Sequence, residues 1–188
     1  MTSPDKFLKI VITSPAPVEN EAERICTLLK NGIDYVHIRK PEATRNEIRD
    51  LIESIPYKFR RHLRLHGHFD LVNDYNLAGV HLNSRCPQAP QNALSVSKSC
   101  HSIEEANDAA DYVYVTLSPI FDSISKEGYR SGYHLETIKR NLISKNVIAL
   151  GGVTPDRFGT LRECGFAGAA MLGCVWNDFD RFIMDLNH

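Results

Sequence analysis

The sequence predicts an α/β fold, a short (β/α)₈ or TIM barrel that forms one domain over residues 1–188. Short runs rich in β-branched and aromatic residues alternate with segments whose apolar residues recur at helical spacing. Eight such units can be counted, and strict alternation implies a parallel sheet with right-handed crossovers. The alternative, an open doubly wound sheet, is disfavoured because no Gly-x-Gly-x-x-Gly follows the first run.

The first half of the chain contains four predicted strands and three predicted helices. The strands are predicted at 7–13, 34–40, 62–66 and 79–82, and the helices at 19–32, 44–55 and 69–78. Thr44 begins the second helix, and Glu47 three residues later completes a capping box. Because 188 residues is short for this fold, some connections must be minimal, and the unit at 62–82 is the most compressed.

The second half repeats the alternation. Strands are predicted at 93–99, 111–117, 146–150 and 167–172, and helices at 102–110, 135–143, 154–165 and 178–186. Thr154 is the predicted N-cap of the seventh helix, with Pro155 at its first position and Gly165 at its end. A long polar loop follows the sixth strand, and long loops in compact domains are often functional.

Composition narrows the classes of function and partner. The net charge of -1 gives no basic surface for nucleic acid. No apolar run approaches the roughly 20 residues of a membrane span, and the first residues lack a signal-peptide pattern. Five scattered cysteines without a Cys-x-x-Cys predict reduced thiols in a cytoplasmic protein. A homo-oligomer is left open, because one sequence does not identify exposed apolar faces.

Two glycine-containing loops predict a phosphate site. Active sites of such barrels lie at the C-terminal ends of the strands, and phosphate sites recur after strands seven and eight. Gly151 and Gly152 follow the seventh predicted strand, and Leu172 and Gly173 end the eighth. Glycine lets the backbone approach a ligand, and free N–H groups there can hold an anion. The alternative is that these glycines only make tight turns.

Three residues of the long loop and one strand-end arginine are further candidates for anion binding. Ser123, Ser125 and Lys126 could surround a phosphate or diphosphate, with Lys126 as a point charge. Arg39, at the end of the second strand, could bind an anion through its planar guanidinium. The alternatives are a solvated surface loop and a salt bridge at the rim.

Several segments together resemble one enzyme family. "DYVHIRK", "GVHL", "SCHSIEEA", "DYVYVTLSPIFDSISK", "VIALGGVTPD" and "CGFAGAAML" occur in the order and spacing of the thiamine phosphate synthase/TenI family. The resemblance runs from about the second strand to the eighth. It implies a (β/α)₈ barrel of thiamin biosynthesis. The synthases join a pyrimidine diphosphate to a thiazole phosphate with Mg²⁺ and release pyrophosphate, whereas TenI-type relatives isomerise the thiazole phosphate.

The resemblance assigns roles residue by residue. A thiazole phosphate would be held by Gly151, Gly152, Leu172 and Gly173. Arg39 matches the arginine that binds the diphosphate, and Ser99 matches a serine of the fifth strand. Ser123, Ser125 and Lys126 match a Thr-x-Thr-Lys loop, with serine in place of both threonines.

The chain departs from the family at the metal site. The synthases place Asn-Asp at the end of the third strand, where this chain has His66 and Gly67. A second metal-binding Asp follows the Gly-Val-His strand, where this chain has Cys86. Both carboxylates expected for Mg²⁺ are therefore missing, so no metal ligand is predicted. Without them the charge of a leaving pyrophosphate is poorly neutralised, and the coupling reaction is predicted to be weak or absent.

The TenI-type reading also requires a different proton carrier. The family's tautomerase histidine after strand six is Pro119 here. His66 is the first candidate, because it ends a strand at the predicted mouth and an imidazole suits acid–base work. His37, within the second strand, should point the same way as Arg39 and is the second candidate. His81 and His101 are expected to be packed or hydrogen-bonded, since synthases keep histidine there without a chemical role.

The Asn73-Asp74 pair has the same residue types as the family's metal-binding pair but a different position in the predicted fold. A strand ending there would leave four residues before the next strand, and a parallel crossover needs about a dozen. The pair is therefore predicted on a helix surface. Three hypotheses remain: a synthase-like transferase with His66 and Lys126 as catalytic candidates, a TenI-like tautomerase using the relocated His66, and a non-catalytic thiazole phosphate-binding or regulatory protein.

Overall fold

The computed structural model describes residues 6–93, 95–122 and 133–187. Eight parallel strands close into a barrel in chain order, with β1 paired to both β2 and β8. The strands are β1 Leu8–Ile12, β2 Tyr35–Ile38, β3 Leu63–Leu65, β4 Gly79–Leu82, β5 Val96–Cys100, β6 Val115–Leu117, β7 Val147–Leu150 and β8 Gly168–Met171. The predicted (β/α)₈ barrel is confirmed.

The helices surround the barrel and are mostly short. They are α1 Glu21–Lys30, α2 Arg45–Ser54, α3 Tyr57–Arg60, α4 Leu71–Asp74, α5 Ile103–Asn107, α6 Leu135–Asn141, α7 Phe158–Glu163, α8 Gly173–Asn177 and α9 Phe179–Leu186. A 3₁₀ turn, Pro155–Arg157, precedes α7, so the helix predicted from residue 154 begins later as an α-helix. Within the described residues, no helix is long and apolar enough to cross a membrane.

The crossover between β3 and β4 is the most compressed, as predicted. Its helix, α4, has four residues instead of the predicted ten, and two residues with positive φ, His68 and Asn76, flank it. Leu71 and Val72 are buried, whereas Asn73 and Asp74 are exposed. The prediction that this Asn-Asp pair lies on a helix surface is confirmed.

The predicted capping box of α2 is present. The hydroxyl of Thr44 accepts a hydrogen bond from the N–H of Glu47, and the Glu47 carboxylate accepts one from the N–H of Thr44. Thr154 is the N-cap of the 3₁₀ turn, with Pro155 in its first turn as predicted, but its side chain makes no capping hydrogen bond. These contacts fix where the helices begin and thereby how long the loops at the barrel mouth are.

The interior of the barrel has an apolar side and a polar side. Side chains alternate along each strand, so that Val36 and Ile38 of β2 pack against the helices while His37 points inward. The apolar interior cluster consists of Ile10, Ile12, Tyr114, Ile148 and Ala170. The polar side is formed by buried residues of β2 to β5, namely His37, Arg64, His81 and Ser97. These polar residues lie directly beneath the C-terminal mouth.

Candidate active site

A cavity of about 660 Å³ opens beyond the C-terminal ends of the strands. Seven of the predicted site residues line it, namely Arg39, His66, Ser99, Gly151, Gly152, Leu172 and Gly173. His37 lies beneath it inside the barrel, in contact with His66. Ser123, Ser125 and Lys126 lie outside the described residues. The strand-end rule therefore placed most of the predicted residues around one cavity.

The two glycines after β7 adopt conformations that favour glycine. Gly151 and Gly152 have φ angles of 94° and 62°. A Cβ on Gly152 would lie 2.3 Å from the carbonyl oxygen of Asp122, and one on Gly151 would lie 2.8 Å from the Cα of Pro119. The loop after β6 thus packs directly on these glycines. Close packing explains why both residues are glycine without reference to a ligand.

Two backbone donors nevertheless remain available in the cavity. The N–H groups of Gly152 and Gly173 donate no hydrogen bond within the described part of the chain. Both residues line the cavity, on the neighbouring loops after β7 and β8. Buried or partly buried N–H groups normally have a partner, which here is left to solvent or an anion.

Arg39 stands at the mouth with its backbone held in place. Its N–H donates to the hydroxyl of Thr13 (2.9 Å), and that hydroxyl donates to its carbonyl oxygen (3.3 Å). Its side chain is exposed and makes no ion pair with a described carboxylate. The adjacent Lys40 differs, because its ammonium is buried and pairs with Glu21 at 2.7 Å. Arg39 is therefore the better placed of the two to bind an anion.

Three histidines come together on the floor of the cavity. His37 Nδ1 and His66 Nε2 are 2.9 Å apart and share a hydrogen bond. The rings of His66 and His81 stack with centroids 4.3 Å apart, and those of His37 and His81 are 5.0 Å apart. His37 and His81 belong to β2 and β4, and His66 follows β3, so three consecutive strands supply the cluster.

Hydroxyl groups hold two of the three rings. His37 Nε2 is hydrogen-bonded to the Tyr114 hydroxyl at 2.6 Å. His81 lies between two serines of β5, with Nδ1 2.8 Å from Ser97 Oγ and Nε2 2.9 Å from Ser99 Oγ. Because each neutral imidazole has one donor and one acceptor nitrogen, these contacts couple the tautomers of the rings.

A buried arginine lies below the histidines. Arg64 is 2% exposed, and its guanidinium donates to the carbonyl oxygen of Val80 (2.8 Å) and to Ser95 Oγ (2.7 Å). It also lies over the Tyr114 ring, 5.0 Å from the centroid. No described carboxylate pairs with it, so carbonyl and hydroxyl oxygens solvate its charge. It makes the floor of the cavity electropositive.

These surroundings keep the histidines neutral. Burial lowers the pKa of His37 and His66 well below the usual value, and nearby positive charges add to the effect. Burial, reinforced by Arg64, lowers the pKa of His81 to about 3. At neutral pH all three imidazoles are therefore uncharged, and each has one acceptor nitrogen, which can take part in a hydrogen bond or bind a cation.

Asn83 joins the ends of β3 and β4 beside the cluster. Its amide nitrogen donates to the carbonyl oxygens of His66 (2.9 Å) and His81 (3.2 Å). Its amide oxygen accepts from the N–H groups of Arg85 (3.0 Å) and Cys86 (3.2 Å). Asn83 thus fixes the backbone that presents His66 to the cavity.

The described residues at the mouth do not fit Mg²⁺. The two positions that match metal-binding Asp in the resemblance are neighbours, since a Cβ on Gly67 would lie 3.9 Å from Cys86 Sγ. Neither residue supplies oxygen from its side chain, and no Asp or Glu is among the described residues that line the cavity. Mg²⁺ requires oxygen ligands, usually including carboxylates. The described residues that line the cavity therefore do not offer the carboxylate ligands that a resident Mg²⁺ would need.

Comparison with known proteins identifies the family. The family model described as thiamine monophosphate synthase matches residues 9–175. The chain belongs to this family. Among curated thiamine-phosphate synthases, that of Limosilactobacillus reuteri is 23% identical over 175 residues, covering 84% of this chain and 81% of that protein. That of Flavobacterium johnsoniae is 25% identical over 186 residues, covering 89% and 87%.

Solved structures agree with the assignment to the thiamine monophosphate synthase family. A thiamine phosphate pyrophosphorylase from Bacteroides thetaiotaomicron is 35% identical, with a TM-score of 0.84 over 97% of this chain and 93% of that one. A Pyrococcus furiosus structure of the same description has a TM-score of 0.77 at 21% identity, covering 97% and 95%, which supports the fold alone. The family predicted from the motifs is confirmed.

Sequence reasoning missed four residues of the site. His81 was expected to be a packed histidine, and it is buried and hydrogen-bonded, but it also lies within the histidine cluster. Arg64, Tyr114 and Asn83 were not singled out. Inward alternation along β3, β4 and the strand predicted at 111–117 could have indicated Arg64, His81 and Tyr114. Which of them meet depends on strand register, which alternation does not reveal.

Proposed function

We propose that this thiamine monophosphate synthase family member is a cytoplasmic enzyme of thiamin biosynthesis that binds a thiazole phosphate at the barrel mouth. The observation that supports it most is the cavity itself. Free N–H groups of Gly152 and Gly173 lie on one side, and neutral imidazoles form the floor. A phosphate at the glycines would leave the thiazole ring facing His66 and His81.

In the same proposal, Arg39 binds a second anionic group, such as a diphosphate, at the end of β2, two strands from β8. Its side chain lines the cavity without a carboxylate partner among the described residues. Leu172 and Ser99 complete the wall, with Ser99 held by His81. Ser123, Ser125 and Lys126 would close over the anions from the loop after β6, as the sequence suggests.

We further propose that Mg²⁺-dependent coupling to a pyrimidine diphosphate is weak or absent. Support comes from Gly67 and Cys86, which stand together where the resemblance expects carboxylates. A steady-state assay with both substrates and Mg²⁺ tests this, with the Bacteroides thetaiotaomicron relative as a positive control. We expect turnover far below that of the relative, and comparable turnover would refute the proposal.

The second candidate function is isomerisation of a thiazole phosphate, as in TenI-type relatives. It is favoured by His66, which lines the cavity and is hydrogen-bonded to His37. A neutral imidazole can take a proton from one position of the substrate and return it at another. An anionic substrate would oppose the effect of burial and raise the pKa of His66 toward the working range.

Calorimetry with the thiazole phosphate and with the matching alcohol tests the shared basis of both candidates. We expect saturable binding of the phosphate and at least about tenfold weaker binding of the alcohol (~1.4 kcal/mol). Absence of phosphate binding would refute both. Binding without turnover in either assay would favour the remaining hypothesis, a non-catalytic binding or regulatory protein.

A further inference from the structure

We propose that His37, His66 and His81 bind one divalent transition-metal ion, of the zinc class, on the floor of the cavity. This site differs from the family's Mg²⁺ site in its ligands and in its place. It uses imidazole nitrogens of His37 and His81, which lie within β2 and β4, and of His66, directly after β3. The lost carboxylate positions, 67 and 86, would instead have supplied oxygen ligands at the rim. The inference goes beyond the proposed function and does not depend on it.

The three ligand atoms are already close together. One ring nitrogen from each histidine lies within 4.8 Å of the other two. His37 Nδ1 and His66 Nε2 are 2.9 Å apart. Ligands of a tetrahedral ion with Zn–N bonds of about 2.0–2.1 Å are separated by about 3.3 Å. The His37–His66 pair therefore needs to open by only a few tenths of an ångström, and His81 needs a small ring movement.

The outward nitrogens have the partners that metal-binding histidines usually have. His37 Nε2 contacts the Tyr114 hydroxyl at 2.6 Å, and His81 Nδ1 contacts Ser97 Oγ at 2.8 Å. Such contacts fix the tautomer and leave the opposite nitrogen free for the ion. His37 Nδ1 and His81 Nε2 are those opposite nitrogens.

The cavity supplies an open coordination position. His66 and His81 line it, so an ion bound to three imidazoles would have its fourth position facing the cavity. Three protein ligands with one open position are typical of catalytic zinc sites. Ser99, whose hydroxyl now contacts His81 Nε2 at 2.9 Å, would be released and could contact the fourth ligand.

The positive charges around the cluster favour an anionic fourth ligand. Arg64 below the cluster and Arg39 above it both oppose a bare divalent cation. An anionic fourth ligand, such as hydroxide or the oxygen of a carboxylate or phosphate, offsets this repulsion. Imidazole ligands select zinc, copper, nickel or iron over Mg²⁺, which prefers oxygen. In the metal-loaded protein His66 is a ligand and no longer a proton carrier.

Titration of the chelator-treated, untagged protein with Zn²⁺ and Co²⁺ tests the site. We expect one equivalent of either ion. X-ray absorption should show nitrogen or oxygen neighbours at about 2.0–2.1 Å and no sulfur at about 2.3 Å. Absence of stoichiometric binding by the unmodified protein would overturn the proposal, and so would sulfur ligation, because the cavity also contains Cys86 and Cys174.

Variants identify the ligands. His81→Gln and His37→Gln keep a polar side chain and should each weaken Zn²⁺ binding at least about tenfold, whereas Cys86→Ser and His134→Ala should leave it unchanged. His134 is exposed and outside the cavity, so it is the matched control. If a glutamine variant fails to fold, the X-ray absorption spectrum of the metal-loaded, unmodified protein still shows whether the ligands are nitrogen or sulfur. Thiazole phosphate binding by metal-free protein is measured separately, so either proposal can fail alone.

Discussion

His37 Nδ1 lies 2.9 Å from His66 Nε2, and this contact connects the interior of the barrel to its mouth. His37 is held from below by Tyr114, and His66 lines the cavity. A polar network in place of an apolar barrel core needs a compensating role, since burying polar groups is costly even when they are paired. The network therefore determines how a His66 variant and acidic pH should affect this protein.

Loss of His66 should slow isomerisation strongly if the second candidate function is correct. Replacing it with alanine removes the only cluster imidazole outside the strands, and general acid–base catalysis contributes typically about 10²–10⁴-fold. The rate of thiazole carboxy phosphate isomerisation, measured in metal-free His66→Ala, should fall by that factor, with His134→Ala unchanged. An unchanged rate in His66→Ala would remove the role.

The buried histidines should make the metal-free protein acid-sensitive. Their folded-state pKa values lie below the unfolded value near 6.5, so below that pH the unfolded chain binds more protons. The free energy of unfolding should be constant above about pH 6.5 and fall below it. The slope should approach 1.4 kcal/mol per pH unit for each histidine, to order of magnitude.

Urea unfolding in the presence of a chelator between about pH 7 and pH 5 measures this slope. His81→Gln should reduce it, because the pKa of His81 is lowered to about 3 and glutamine does not titrate in this range. A slope that does not change in this variant would mean that His81 is not buried in its neutral form.

Aspartates in place of Gly67 and Cys86, the two positions where the family has metal-binding Asp, should restore Mg²⁺ binding. Gly67 has room for a side chain, since the nearest atom to an added Cβ is Cys86 Sγ at 3.9 Å. The Gly67→Asp/Cys86→Asp protein should be destabilised without Mg²⁺ and regain stability with it, because two close carboxylates repel unless a cation neutralises them.

The matched control is Gly67→Asn/Cys86→Asn, which has the same shape without the charge. Thermal unfolding with and without Mg²⁺ compares the two proteins, and coupling activity is expected to rise at least about tenfold only in the Asp protein. If both variants respond equally to Mg²⁺, the two positions are not the family's metal site.

Gly152 and Gly159 should respond in opposite directions to alanine. Gly152 has a φ of 62°, and a Cβ there would lie 2.3 Å from the Asp122 carbonyl oxygen. Gly152→Ala should lower the free energy of unfolding by at least about 1–3 kcal/mol. Gly159 lies within α7 with no atom near an added Cβ, so Gly159→Ala should stabilise by about 0.5–1 kcal/mol. Denaturant unfolding of the two variants checks the pair, and a tolerated Gly152→Ala would contradict the packing described here.

The fold was predictable because each unit has a local signal. The β-rich runs and the capping box of Thr44 and Glu47 are short-range features, and the structure contains both hydrogen bonds of that box. The length of α4 was overestimated, because apolar residues at 69–78 have helical spacing but the short barrel leaves room for only four helical residues. Helix length there depends on tertiary geometry, which local periodicity does not encode.

The site was only partly predictable, for a different physical reason. Strand ends converge in any parallel barrel, which is why Arg39, His66 and Gly152 could be placed at one mouth. The contact of His37 with Tyr114 joins β2 to the residue just before β6, across the interior of the barrel. The sequence shows neither the spacing nor the register of these two strands. Contacts between residues on opposite sides of the barrel can therefore be identified only from the structure.

The most direct measurement of the central claim is paired calorimetry of thiazole phosphate and thiazole alcohol with metal-free protein. The phosphate should bind with one-to-one stoichiometry, and the alcohol at least about tenfold more weakly. The reason is that the charged phosphate has several acceptor oxygens for the N–H groups of Gly152 and Gly173, whereas the alcohol offers one neutral hydroxyl. Equal affinity for both ligands, or no binding of either, would contradict the account.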